Sequence, residues 1–462
     1  MANKPAGLIY GVDDVPPWSA LALLAVQHIF LMSSTLVLPV VLVSEIGGEF
    51  SQVQAVVALT MTACGIGTIL QAMRWRGIGS GYLCPNLCGP NFFAASMAAA
   101  WLGGLPLMRG MTIAAGLVEI VFARFVHRLR FLFPTEITGL VVFMVGVSLV
   151  PVGASRFLHV DYTGEPIQLT SLAVAAATLF VMVALNVWGS NKLRLYGVLI
   201  GMALGYALSA AAGLLPLERF HQVGAAPWIG LPSLDGAFDI DFRWSLLPVF
   251  VIVSICGALK SFGNLVMCEK VNDDQWTKPD MKRIGDGLMA DGIAVAASGL
   301  LGGVASDTSS SNVSLSGASG ATSKWIGVAA GALFILLGFS PKLSALLSIM
   351  PAPVVGAIVV FVVCFMMMSG LQIILSSKPD TRQTFVIGTA LCFGLSLDML
   401  PDLYSHLAPW LRPFFESSLT LATVMAVALN QLLRVEETLL LRRKPEAASA
   451  AAPQSAVAVE SH

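Results

Sequence analysis

Apolar stretches of transmembrane length recur along almost the whole chain, and no other feature limits its possible folds as strongly. The clear ones are 18–43, 53–72, 108–127, 131–153, 169–189, 195–215, 245–267, 284–302, 322–349, 351–373, 383–400 and 414–433. A membrane-spanning helix needs about 20 mostly apolar residues. Only 11% of the 462 residues are charged, against roughly 25% in soluble domains, so the chain cannot cover a water-facing surface. We therefore expect an all-α integral membrane protein solvated by lipid.

Two further segments have transmembrane length but are interrupted. Residues 81–101 (GYLCPNLCGPNFFAASMAAAW) contain prolines and glycines, and residues 303–320 (GVASDTSSSNVSLSGASG) consist mostly of small and polar residues. Counting both gives about fourteen spans, with an interrupted span third in each half of seven. Interrupted spans at corresponding positions of two halves are typical of transporters built from repeats. The free backbone groups of such spans need protein or a water-filled cavity around them. The alternative is a twelve-span protein with two polar loops.

Basic residues cluster in alternate loops, which indicates the orientation of the chain in the membrane. These residues are Arg74, Arg76, Arg124, Arg128, Arg130, Lys192, Arg194, Lys270, Lys278, Lys282, Arg283, Lys378, Arg382, Arg442, Arg443 and Lys444. By the positive-inside rule we expect both termini in the cytoplasm.

The same pattern divides the chain into regions. We expect a cytoplasmic tail over 1–16, a first seven-span repeat over 17–215, an external connection over 216–244, a second repeat over 245–433, and a disordered cytoplasmic tail over 434–462.

Several classes of function are disfavoured by what the sequence lacks. The net charge of −1 does not suit nucleic-acid binding, which needs a basic patch. There is no Walker motif for ATP and no apparent nucleophile–base set, so we expect no enzyme. The Cys84–Cys88 pair stands without the further ligands of a zinc site, and we expect neither a metal nor a cofactor. A secondary transporter is the natural class.

Four motifs, in order, resemble one family. Gln27 and His28 lie in AVQHIFLMSSTLVLPVVL, followed by FPTEITGLVVFMVGVSLVP, RIGDGLMADGIAVAASGLLGG and SPKLSALLSIMPAPVVGA. Together they resemble the nucleobase–ascorbate transporter family (nucleobase:cation symporter-2), which includes uracil and xanthine permeases.

The resemblance implies a fold of two inverted seven-span repeats arranged as core and gate domains. It also implies a homodimer in the inner membrane of a bacterial cell that carries a nucleobase or related heterocycle, such as xanthine, urate or uracil, with proton symport as the family's usual coupling. The substrate would lie between the broken third and tenth spans, near side chains of the first and eighth.

Lys260 departs from the family pattern. It lies in the apolar run ICGALKSFGNL, where relatives carry an acid that accepts hydrogen bonds from the base, whereas an ammonium group only donates. The tenth span also departs, since it keeps Asn312 but has Ser311 in place of Gln or Glu, and it adds Asp307. Three interpretations stay open: a structural Lys260–Asp307 ion pair, a substrate ligand whose charge Asp307 sets, or a lysine that faces the interface or a solvent cavity.

Other polar and aromatic residues complete the set of candidates. Asn264 lies at i+4 from Lys260 and so on the same helix face, and Gln27, His28, Phe92 and Phe93 are further candidate ligands. Lys260, Asp307 and His28 are the candidates for proton coupling, and the alternative is a facilitator or an exchanger. Glu119 lies near a predicted helix end, where we expect it to be hydrated. Lys260 also keeps open a different small organic anion as substrate, and the altered tenth span keeps open a non-transporting channel or receptor.

Overall fold

A computed structural model describes residues 5, 8–129, 134–160, 167–190, 193, 196–215, 221, 223–232, 239–375, 380–400, 404 and 418–433. Within these residues the chain is almost entirely helical, with one pair of very short strands. The predicted C-terminal tail, part of the 216–244 connection and the basic residues Arg130, Lys192, Arg194 and Lys378 lie outside the described residues.

The helices follow the apolar stretches of the sequence. In the first half they are α1 (Trp18–Ser33), α2 (Val37–Glu45), α3 (Phe50–Ala72), α4 (Pro90–Leu129), α5 (Thr135–Ser148), α6 (Val150–Leu158), α7 (Leu169–Val187) and α8 (Gly197–Ala211). In the second half they are α9 (Leu247–Asn272), α10 (Met281–Leu301), α11 (Ser310–Ser319), α12 (Lys324–Gly338), α13 (Pro341–Ser348), α14 (Ala352–Ile374), α15 (Thr381–Met399) and α16 (Ser418–Leu433). A single 3₁₀ turn, Trp244–Leu246, precedes α9.

Three stretches that the sequence predicts as continuous spans are broken in the structure. α1 and α2 separate at 34–36, α5 and α6 at Leu149, and α12 and α13 meet at an angle of 77°. A proline follows each break, at Pro39, Pro151 and Pro341. Proline lacks the N–H that would continue the helix and clashes with the preceding turn. α4 is interrupted as well, at Gly103 and at Gly104, whose φ of 69° is left-handed.

Eight of the described helices or helix pairs are long and apolar enough to cross a membrane, or nine if the bent α12–α13 pair is one span. α8 and α16 are shorter apolar helices. The chain is therefore a multi-pass membrane protein, and the count of about fourteen spans in two inverted repeats stays a prediction.

The helices pack in two groups, each with helices from both halves of the chain. α3, α4, α9, α10 and α12 pack closely on one another, and α1 joins them through α12. α14 packs on α5, α6 and α7, which in turn carry α8 and α15. Contacts between the groups are fewer and run mainly through α2, α4, α5, α9 and α14.

The two interrupted segments meet inside the first group. Strand β1 (Asn86–Cys88) pairs antiparallel with β2 (Ser306–Thr308), with Leu87 opposite Asp307. Both strands are completely buried, so their backbone groups are satisfied by each other and by neighbouring protein, as non-helical backbone at membrane depth requires.

Candidate functional site

The two interrupted segments have the same local construction. Each strand of three residues is followed, one residue later, by the first residue of a helix: Pro90 of α4 and Ser310 of α11. Ser309 caps α11 by accepting the backbone N–H of Asn312 with its hydroxyl oxygen. Because the strands pair, the positive ends of two helix dipoles lie beside the same strand pair, a setting that favours electronegative ligand groups.

Lys260 and Asp307 form the centre of the site. The Lys260 ammonium donates to Asp307 Oδ2 at 2.7 Å, and the Asn91 amide donates to the same oxygen at 2.5 Å. The Lys260 side chain keeps 18% of its surface exposed, against 1% for that of Asp307. An ammonium has three protons to donate, and this one makes a single hydrogen bond among the described residues. Lys260 therefore neutralises Asp307 while keeping donors for a second acceptor.

Ser261 connects this pair to a second buried carboxylate. Its hydroxyl donates to Asp291 Oδ2 at 2.5 Å, and it lies 2.7 Å from the hydroxyl of Thr308 and 3.4 Å from Asp307 Oδ1. Asp291 Oδ1 accepts from the Asn86 amide at 3.0 Å. One network thus joins α9, α10 and both strands.

Asn264 holds α9 to the start of α11. Its amide donates to the Thr308 hydroxyl at 2.9 Å, and its carbonyl oxygen accepts from the Ser310 hydroxyl at 2.8 Å. Asn264 lies four residues after Lys260 and three after Ser261, so it is a neighbour of both on the surface of α9.

His28 reaches the site from α1. Its Nδ1 lies 2.7 Å from Asn312 Oδ1, and the Asn312 amide in turn donates to the Ser309 hydroxyl at 2.9 Å. His28 and Asn312 are both buried, whereas Gln27 is only partly covered.

An accessible polar surface adjoins this network. Ser310, Ser311 and Ser314 are exposed on α11, and Gly263 is exposed on α9. Serine hydroxyls on an exposed helix face in the membrane suit a water- or ligand-filled space better than lipid. We call this surface, together with the exposed part of Lys260, the open face.

Phe92 and Phe93 lie apart from the open face. Both are buried to 1% exposure or less and belong to the hydrophobic core. A β-carbon on Gly257 would come within 3.3 Å of the Phe92 ring. In this conformation the two rings pack against protein.

Sequence reasoning missed several polar members of the site. Asn91 and Ser261 were not singled out, although Ser261 adjoins Lys260 in the chain. A serine in a membrane helix usually bonds its own preceding turn, so its sequence position carries no special signal. Glu119 is 1% exposed rather than hydrated, which corrects the expectation for that residue.

The family of the chain follows from comparison with known proteins. Residues 19–403 match the model of the Permease family (Xan_ur_permease). The chain belongs to this family. It is a permease by descent rather than an enzyme, and its cargo is a small molecule.

Several relatives that match over nearly their whole length are named as permeases of purines. The chain is 28% identical to a putative purine permease of Clostridium perfringens, covering 95% of this chain and 96% of that one. It is 25% identical to xanthine permease XanP of Escherichia coli strain K12, over 92% and 94%. It is 27% identical to uric acid permease PucJ of Bacillus subtilis strain 168, over 88% and 91%.

Solved structures of low sequence identity share the fold. The transmembrane domain of the cyanobacterial bicarbonate transporter BicA matches with a TM-score of 0.53 at 14% identity, covering 79% of this chain and 98% of that domain. The murine anion transporter Slc26a9 in its inward-facing state matches with a TM-score of 0.57 at 12% identity, over 92% and 70%. The permease therefore has the fold of known membrane transporters.

Proposed function

We propose that this permease transports a purine rich in carbonyl groups, such as xanthine or urate, bound at the open face between the third and tenth spans. The observation that carries the proposal is Lys260, which pairs with Asp307 yet stays partly exposed with unused donors. The names of the relatives, xanthine, uric acid and purine permeases, supply the substrate class.

The chemistry of the open face favours a substrate that accepts hydrogen bonds. Lys260 offers an ammonium, and Ser311 and Ser314 offer hydroxyls next to the N-terminus of α11. Exocyclic oxygens of a purine, or the charge of a urate anion, would be stabilised by these donors. Asn264 and Asn312 would act indirectly, because their amides position Thr308 and Ser309.

The proposal includes an arrangement of the whole chain. Helices of the first group form the core that carries the substrate, helices of the second form the gate, and the two inverted repeats together supply about fourteen spans in each subunit of a homodimer. The matching construction of the two strand–helix segments supports this arrangement.

The proposed orientation places both termini in the cytoplasm of the inner membrane. It is supported by Arg74, which lies 3.5 Å from Asp286, and by Arg283, which donates to the Ser80 carbonyl, so these basic segments share one end of the helix group. The N-terminal segment joins the end of α9 through Thr322, which bonds both Tyr10 and Asn272.

Uptake into proteoliposomes tests the substrate assignment. We expect saturable uptake of xanthine or urate, with a KM in the micromolar to millimolar range usual for proteins that recognise metabolites. We expect Lys260→Ala to reduce the uptake of urate more than the uptake of uracil. The matched control is Lys342→Ala, because this lysine lies outside the site, where it contacts Gly224 and Trp228.

Two results would contradict the proposal. Uracil uptake that is unaffected by Lys260→Ala, with no uptake of urate or xanthine, would remove the role of Lys260. Ligand binding without saturable uptake would favour a receptor or channel on the same scaffold.

A thermal-shift screen of the purified protein complements the uptake assay. Purines, pyrimidines and small organic anions are compared on the natural protein and on Lys260→Glu. We expect purines with several carbonyls to stabilise the natural protein and to lose this effect in the variant. Stabilisation only by an organic anion that is not a purine would assign the permease to a different substrate class.

A further inference from the structure

Glu119 is a buried acid that lies near Lys260 and Asp307 but outside their hydrogen-bond network. It lies in α4 with 1% of its surface exposed, and neither of its carboxylate oxygens has a hydrogen-bond partner among the described residues. The other two acids of this region differ, since Asp307 accepts from Lys260 and Asp291 accepts from Ser261.

Two glycines make the space that Glu119 occupies. A β-carbon on Gly257 of α9 would come within 3.0 Å of Glu119 Oε1, and one on Gly292 of α10 would come within 2.9 Å of its β-carbon. Gly257 lies three residues before Lys260, and Gly292 directly follows Asp291. The carboxyl group of Glu119 is therefore directed between α9 and α10, next to the residues that carry the site.

The charges around Glu119 do not balance if every acid is ionised. Glu119 interacts electrostatically with Asp291, Asp307 and Lys260. Three carboxylates and one ammonium would leave a buried excess of negative charge. An ionised carboxylate without a donor is costly in such surroundings, so Glu119 must hold a proton or gain water when it ionises.

Most other charged groups on the helices that pack against α4 have partners away from Glu119. Glu269 and Lys270 of α9 contact Trp276, and Asp286 of α10 contacts Arg74. Arg283 of α10 bonds Ser80, Glu45 of α2 bonds Arg156, and Glu136 of α5 bonds Gln383. Lys282, also of α10, lies at the first turn of that helix, nine residues before Asp291. Lys260 is therefore the cation of these helices that acts on Glu119.

We propose that Glu119 carries the proton that is coupled to substrate transport, and this inference rests on the proposed function. The three groups that the sequence suggested for this role already have partners, since Lys260 pairs with Asp307 and His28 with Asn312. Glu119 has no hydrogen-bond partner among the described residues, so a change in its protonation breaks none of the bonds described above.

The coupling follows from charge. An anionic or carbonyl-rich substrate that binds Lys260 shares the positive charge that neutralises Asp307, so the site gains negative charge. A proton added to the Glu119 carboxylate from water on one side of the membrane offsets the added negative charge. When the core opens to the other side and the substrate leaves, the carboxyl group releases the proton to water there.

Glu119→Gln tests this role, because glutamine has the shape of the protonated acid but cannot release a proton. In proteoliposomes we expect the natural protein to accumulate urate or xanthine under an inward proton gradient and to lose this accumulation with a protonophore. We expect Glu119→Gln to lose gradient-driven accumulation while it still exchanges labelled for unlabelled substrate. Glu136→Gln, the same change in an acid bonded to Gln383 outside the site, should accumulate substrate normally.

Further measurements distinguish a loss of proton coupling from a folding defect and from a failure of purine transport itself. Glu119→Asp keeps a carboxyl group and should regain accumulation with a shifted pH profile, whereas a purely structural role would predict no such shift. Accumulation by Glu119→Gln that is still abolished by a protonophore would overturn the inference. Natural protein that accumulates purine regardless of the protonophore would overturn it while leaving the proposed function intact, and no purine uptake at all would reject the proposed function first.

Discussion

The stability of the site depends first on one residue pair, Lys260 and Asp307. Removing one member of a buried ion pair costs about 3–5 kcal/mol because the other charge is left without a partner. The two members are not equivalent, since the Asp307 side chain is 1% exposed and that of Lys260 is 18% exposed. A lone Lys260 can reach water, whereas a lone Asp307 stays buried with neutral donors, among them the Asn91 amide and the distant Ser261 hydroxyl.

We therefore predict an asymmetric loss of stability. Lys260→Met should lower the stability of the purified protein by about 3–5 kcal/mol, and Asp307→Asn should lower it by clearly less. The double variant should recover most of the loss, because it leaves no buried charge uncompensated. Denaturation in detergent measures the effect, with Lys342→Met as the control. A double variant as unstable as Lys260→Met would show that packing, rather than charge, holds this position.

Some residues of the site can be recognised from the sequence, and the burial of others cannot. Lys260 stood out because a charge in an apolar run is costly, and Asp307 stood out as a charge in a segment of small residues. The seclusion of Glu119 could not be predicted, because it depends on which helices cover it. Those helices approach through Gly257 and Gly292, and glycine is common in membrane helices for many reasons.

At the level of elements, length and composition predicted the helices well, and their irregularities less well. Prolines and glycines identified 81–101 and 303–320 as interrupted, but strands of three residues are too short to show an alternating pattern. Their pairing is a tertiary contact. The sequence predicts a tail over 1–16, and the bridge from Tyr10 within it to Ala321 joins residues far apart in sequence.

The contact between α4 and α10 gives a prediction at this scale. A β-carbon on Gly292 would lie 2.8 Å from the backbone nitrogen of Ile120 and 3.0 Å from the Gly116 carbonyl oxygen. Backbone atoms cannot move aside, so Gly292→Ala must push the helices apart. We expect a loss of stability of about 1–3 kcal/mol, as for other overpacked cores.

Gly263→Ala provides the matched control for that change. Gly263 lies in α9, and nothing lies within 4 Å of a β-carbon added there. Alanine favours the helix over glycine by up to about 1 kcal/mol, so this variant should be as stable as the natural protein or more so. Equal melting temperatures for the two variants would contradict close packing of α4 on α10.

At the level of the whole molecule, the two helix groups are tied together by few polar contacts. Arg156 of α6 donates through Nε and Nη2 to Glu45 Oε1, at 2.8 and 2.6 Å. α2 packs on α3 and α4 of the first group, whereas α6 packs on α14 of the second. Any movement of one group against the other, as the proposed transport cycle requires, must stretch or break this ion pair.

We predict that the Glu45–Arg156 pair controls the rate of transport more than the affinity for substrate. A partly buried pair with two hydrogen bonds is worth about 1 kcal/mol, which is enough to shift a two-state equilibrium about fivefold. Arg156→Gln should change the maximal rate of uptake by a factor of this size and leave substrate binding in the thermal-shift assay unaltered. The charge-swapped double variant Glu45→Arg, Arg156→Glu should restore the rate, since it rebuilds the same link. A swapped variant that transports no better than Arg156→Gln would show that these side chains act separately and do not link the two helix groups.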